Sequence, residues 1–116
     1  MSASQAAVAE PIVRPATKKP NPKPKRQPRY HVVLWDDPIH TFQYVTEMLQ
    51  KLFHHTDSEA LKIAQEVDKR GRAICYTTSK EVAEFKRDQI HGFGPDPYSS
   101  KPAGSMAASI EPAESA

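Results

Sequence analysis

Asp36 and Asp37 stand side by side at the end of a β-rich run, Tyr30 to Trp35, and directly before Pro38. Paired carboxylates can share general acid/base work when both face one reacting atom. Neighbours on an extended chain point to opposite sides, which is poor geometry for such a dyad. Capping a loop or helix N-terminus, or anchoring the amine of a ligand, are the uses that remain. Cys75 lies mid-run between Ile74 and Tyr76, where a buried, inert thiol is expected rather than a nucleophile. The histidines are His31, His40, His54, His55 and His91, and none shows i, i+4 zinc spacing with a carboxylate partner. His54 and His55 fall at a helix end, where a cation complements the helix dipole. There is no glycine-rich phosphate loop and no Ser/His/Asp arrangement. By chemistry alone the chain reads as a binding module, not an enzyme, with no metal and no cofactor expected.

The elements that must position these groups are short. Residues 30 to 35 predict a strand, broken by Asp36-Asp37-Pro38. Phe42, Val45, Met48, Leu49, Leu52 and Phe53 follow helical spacing, so roughly 41 to 54 is an amphipathic helix with Thr41 as its N-cap. Thr56-Asp57-Ser58-Glu59 is a capping-box pattern, opening a helix with Ala60, Ile63, Ala64 and Val67 on one face. Lys69, Arg70 and Gly71 end it. Residues 73 to 77 predict a second strand. Thr78-Ser79-Lys80-Glu81 is another capping box, opening a third helix with Val82, Phe85, Gln89 and Ile90 along one face, stopped by Gly92-Phe93-Gly94-Pro95. Residues 106 to 110 carry a weak signal for a last strand. The order β-α-α-β-α-β predicts a small two-layer α+β domain, a three-stranded antiparallel sheet packed against three helices.

Composition divides the 116 residues into three parts. Residues 1–29 hold seven Lys/Arg against one acid, Glu10, and six of the eleven prolines lie in the first 28 residues. Such a segment has little apolar area to bury and predicts a disordered, partly polyproline-like basic arm. It reads either as a solubilising arm or as a flexible arm for an acidic partner. Residues 30–95 hold eight basic and ten acidic residues and most of the large apolar ones. The globular domain is therefore expected over 30–112, with 113–116 a flexible C-terminus. The overall charge of +2 is too small to argue for nucleic acid. No apolar run approaches the roughly 20 residues of a membrane-spanning helix. No basic start followed by an apolar stretch marks a secretory signal. A lone cysteine leaves no internal disulfide and suits a reducing cytoplasm.

The stretch Tyr30 to Ile90 resembles ClpS, the bacterial adaptor of the Clp ATP-dependent protease. The matching pieces are V-V-L-W-D-D-P (32–38), Y-V-T-E-M-L-Q-K-L-F (44–53), G-R-A-I-C (71–75) and S-K-E-V-A-E-F-K (79–86), in the family's order. W-D-D-P looks like an actinobacterial-style variant of the family's N-D-D. The resemblance implies N-degron recognition: binding of proteins whose first residue is Leu, Phe, Tyr or Trp, and delivery to a ClpA or ClpC unfoldase. A free α-ammonium needs acceptors at one end of a pocket, and the first side chain needs an apolar hole at the other.

Carried over by position, the resemblance places Asp36 and Asp37 beside the α-amine. Asp68 stands where the family usually has an amine-contacting histidine, and Trp35 where it has an asparagine. Phe42 stands at the gate methionine and Val45 at the pocket valine. Ile39 and His40 fall in a loop one residue longer than the enterobacterial form. His55 and Ala64 fall at pocket methionines, and Met106 at a late pocket leucine. Ala64 would widen the pocket; Phe42 would add bulk at its gate. A monomer is expected, with substrates bearing N-degrons and a Clp AAA+ unfoldase as partners, and with neither membrane nor nucleic acid among them. The second reading is an interaction module that keeps this fold while its pocket binds something else, or nothing, with the basic arm on an acidic protein or RNA, as similar architecture occurs in the C-terminal domain of the bacterial ribosomal stalk protein.

Overall fold

The computed structural model describes residues 27–101 and 104–113. Most of the basic segment 1–29, and most of 113–116, lie outside them. The elements are β1 (Arg29–Trp35), α1 (Phe42–Phe53), α2 (Asp57–Arg70), β2 (Arg72–Ser79), α3 (Lys80–His91) and β3 (Ala108–Pro112). The sheet is three-stranded and antiparallel in the order β2-β1-β3, so the first strand is central. This is the α+β architecture that the β-α-α-β-α-β order predicts.

The central position of β1 explains its composition. Val32, Val33 and Leu34 are all fully buried, an apolar run rather than an alternation: Val32 and Leu34 enter the core, and Val33 lies on the opposite sheet face between the two flanking strands. α1 buries Tyr44, Val45, Met48, Leu49 and Phe53, and packs on α2. α2 lies against β2, and α3 contacts all three strands. Ala60, Ala64 and Val67 from α2 and Ala83 and Ile90 from α3 close the core around Met48, Leu49 and Leu34. Small residues on α2 let that helix approach α1 closely.

The helix ends follow the sequence with one change of register. Thr41 accepts from the Tyr44 amide, and Thr56 and Glu59 form the reciprocal capping box. Gly71 ends α2 at φ 86, a left-handed position that a Cβ would strain. His54 takes the same role after α1 at φ 60, its amide donating to Gln50. The expected box from Thr78 to Glu81 does not cap α3. Ser79 is the cap and accepts from the Val82 amide, because β2 runs to Ser79 and keeps Thr78 paired with Tyr30. The last strand likewise sits later than residues 106 to 110. Ala108–Pro112 pairs with Tyr30–Leu34, while Met106 turns inward before the strand begins.

Candidate functional site

One cavity of about 220 Å³ opens between the β1–α1 loop, the start of α1 and the C-terminal half of α2. It is lined by Asp36, Asp37, Pro38, His40, Phe42, Val45, Ala64, Val67, Asp68 and Met106. Strand β1 ends at Trp35, and the Asp36 amide donates to the Gly71 carbonyl at 2.9 Å. That bond ties the end of β1 to the end of α2, so Asp36 and Asp68 border one opening. Helical spacing does the rest: Ala64, Val67 and Asp68 are i, i+3 and i+4, one face of α2.

Asp37 folds the loop around itself. Its Oδ1 accepts from the Ile39 and His40 amides, each at 2.8 Å, and its Oδ2 meets His40 Nδ1 at 2.7 Å. Burial pushes the Asp37 carboxyl up, but these bonds and the His40 ring outweigh it and hold the group below its ordinary value. Asp36 and Asp68 are exposed, and neither carboxylate has a hydrogen-bond partner among the described residues. The apolar part of the wall is Val45, Ala64, Val67 and Met106, all buried, with Phe42 half exposed at the rim. Among the described residues no Lys or Arg lines the cavity. The site thus offers carboxylates at one opening and a small apolar hole behind them.

Eight of the eleven residues singled out from the sequence line this cavity: Asp36, Asp37, His40, Phe42, Val45, Ala64, Asp68 and Met106. Trp35, Ile39 and His55 do not. Trp35 follows the core-facing Leu34, so strand alternation turns it to the other sheet face. There its Nε1 donates to Ser109 Oγ at 2.8 Å, and Arg72 sits 5.1 Å from the ring. Ile39 contributes its amide to Asp37 rather than its side chain to the wall. His55 Nε2 lies 2.7 Å from the Cys75 carbonyl, and the ring stacks on Phe53. That bond, not a helix-dipole contact alone, places His55. Cys75 is 3% exposed, and burial pushes its thiol up to about 12, so it is a poor nucleophile.

Three residues were missed from the sequence. Pro38 and Val67 line the cavity, and both were readable: Pro38 closes the W-D-D-P run, and Val67 sits one turn from Ala64. Asp96 is the third. It is 7% exposed and accepts from the Thr41 amide at 2.7 Å and the Thr41 hydroxyl at 3.0 Å. Burial raises the Asp96 carboxyl, but these bonds and the one from the Tyr98 amide bring it below its ordinary value. Asp96 also accepts from the amide two residues on, an Asx turn, which the sequence Asp-Pro-Tyr hints at.

Residues 25–96 match the family model described as ATP-dependent Clp protease adaptor protein ClpS. The chain belongs to the ClpS family. Among curated relatives, the ATP-dependent Clp protease adapter protein ClpS of Mycolicibacterium paratuberculosis is 31% identical over 91 residues, covering 76% of this chain and 87% of that one. The one from Mycobacterium marinum is 36% identical over 62 residues, 53% of this chain and 61% of the relative's length. Among solved structures, Agrobacterium tumefaciens ClpS2 bound to L-phenylalaninamide superposes with a TM-score of 0.65 at 20% identity, covering 76% of this chain and all of that one. That likeness is one of fold. Among the described residues no helix is long and apolar enough to cross a membrane.

Proposed function

We propose that this protein is an adaptor that binds the destabilising first residue of substrate proteins and delivers them to a ClpA- or ClpC-type unfoldase. The observation that carries the reading is the cavity itself, where Asp36, Asp37 and Asp68 share a wall with Val45, Ala64, Val67 and Met106 and, among the described residues, no Lys or Arg joins them. A free α-ammonium brings three N–H donors and a positive charge to exposed carboxylates, and its side chain enters the apolar part. Hydrogen bonds to charged groups contribute about 1.5–3 kcal/mol each. Burying a Leu or Phe side chain contributes about 1.5–3 kcal/mol. Requiring both at once distinguishes a chain terminus from an internal residue. L-phenylalaninamide, the ligand of the A. tumefaciens neighbour, combines these two features.

Nothing in this reading asks for a catalytic group, a metal or a cofactor. Family membership over residues 25–96 favours it over the interaction-module alternative. The basic segment 1–29 is assigned to delivery, and 30–112 to recognition. A panel of fluorescent peptides that differ only in residue one tests recognition by anisotropy; large apolar first residues should bind and Gly or Asp should not. Degradation of a reporter by the cognate protease, with and without residues 1–28, tests delivery. Equal binding across the panel would defeat the adaptor reading, and loss of peptide affinity on truncation would defeat the division of labour.

A further inference from the structure

His40 is held in a way that counts protons. Its Nδ1 lies 2.7 Å from Asp37 Oδ2, and its Nε2 lies 2.7 Å from the Gly104 carbonyl oxygen. Both partners are pure acceptors. A neutral imidazole has one N–H and can satisfy only one of them; an imidazolium has two and satisfies both. The His40 side chain is 3% exposed, while the Gly104 carbonyl lies at the surface and can turn to water when the ring lets it go. Gly104 stands two residues before Met106, on the segment that carries Met106 into the cavity wall. That segment is pinned further on by the Gly94 amide on Ser105 Oγ, at 2.7 Å, and by the Trp35 amide on the Ala107 carbonyl, at 3.1 Å.

We infer that His40 is a positioning residue which, as the imidazolium, ties the Gly104–Met106 segment to the Asp37 loop, and which releases Gly104 when it gives its second proton to solvent. The inference rests on the pocket reading above only for its effect on peptide binding. The groups facing His40 are Asp37 and Asp36 from its own loop, Tyr44 from α1, and Asp96 from the turn after α3. Asp68 from α2 lines the same cavity, and the Gly104 carbonyl faces it from the late segment. Asp37 and Asp96 both lie below the ordinary carboxylate value, and burial raises the Tyr44 phenol, against its bond with Ser105. These three keep their charge states between pH 5 and pH 9.

The test is a pH titration from 5 to 9 followed by NMR on the peptide-free protein. It watches the imidazole nitrogens of His40 and the amides of Gly104, Ser105 and Met106. The expected result is a ring with two N–H groups at low pH, whose deprotonation coincides with shifts at all three amides. A ring carrying a single N–H throughout, a second proton retained to pH 9, or late-segment amides that ignore the ring's titration would overturn the inference. His40→Gln, a neutral donor, should abolish the amide titration. With a Phe-first peptide, the affinity of the parent relative to His40→Gln should fall at least threefold between pH 6 and 8.5. The peptide's own α-amine loses charge over that range in both proteins, so the ratio isolates His40. A constant ratio would overturn the inference. No binding by either protein at any pH would defeat the pocket reading instead, and the NMR titration would still decide the role of His40.

Discussion

Two walls of the same cavity use their carboxylates in opposite ways. On the β1–α1 loop, Asp37 accepts from two amides and a histidine ring, all within three residues of itself. On α2, the exposed Asp68 has no hydrogen-bond partner among the described residues and stands one residue after the buried Val67. The loop wall is spent on holding its own shape; the helix wall keeps its acceptor capacity for something else. Acids that a family motif treats as a pair are therefore different devices. Asp37 builds the opening, and Asp36 and Asp68 remain available to a ligand.

The largest effect expected from breaking that contrast is at Asp37. Asp37→Ala removes the acceptor for the Ile39 and His40 amides and for the His40 ring. Unsatisfied, partly buried donors of this kind cost about 1–3 kcal/mol each, with some recovered by water. Urea unfolding should show a loss of about 2–3 kcal/mol, and peptide binding should fall with it. A stability unchanged within about 0.5 kcal/mol would mean that the loop is held by its other contacts.

The apolar floor of the α2 wall sharpens the contrast further. Ala64 is 2% exposed and faces the cavity, so Ala64→Met fills space a ligand side chain would use. Affinity for a Trp- or Phe-first peptide should drop roughly tenfold, about 1.4 kcal/mol. A Leu-first peptide should lose less. Equal losses would place the ligand side chain elsewhere.

A smaller effect is expected in acid. Asp37 and Asp96 have folded values below their ordinary 3.8, so their contribution is complete above that value and is lost as pH falls through the folded ones. The contribution of these two groups should be nearly flat from pH 7 to about 4.5 and fall below about 4. Asp96→Asn should lower the plateau and flatten the acid limb. An unchanged limb would show that the charge at Asp96 does not matter to the cap of α1.

Which of these features the sequence carries depends on how local they are. Helix caps at Thr41 and Thr56, the stop at Gly71 and the apolar faces of α1 and α2 are set within a few residues, and the periodicity reads them directly. β1 reads as a strand because its composition suits burial on both faces. The α3 cap was misplaced by one residue because both Thr78 and Ser79 can cap, and only the pairing of Thr78 with Tyr30 decides between them. β3 was misplaced because Met106 is buried like a strand residue but lies before the pairing begins. The bonds from Asp96 to Thr41 and from His40 to Gly104 span 55 and 64 residues, and no local pattern announces them. Trp35 and His55 were assigned by position in a motif. Strand alternation in one case and a carbonyl acceptor in the other take them away from the cavity.

The central claim is that Asp68 holds the ligand's amine without holding the fold, and a double-mutant cycle tests it most directly. Anisotropy gives the affinities of parent and Asp68→Asn for a Phe-first peptide with a free amine and for the same peptide acetylated. Removing the charge on one side should matter only while the charge on the other is present. The expected coupling is about 1.5–3 kcal/mol, the range for hydrogen bonds to charged groups, with unfolding stability unchanged within about 0.5 kcal/mol. A coupling near zero, with Asp68→Asn binding the free-amine peptide as tightly as the parent does, would contradict it and leave Asp36 alone to meet the ammonium.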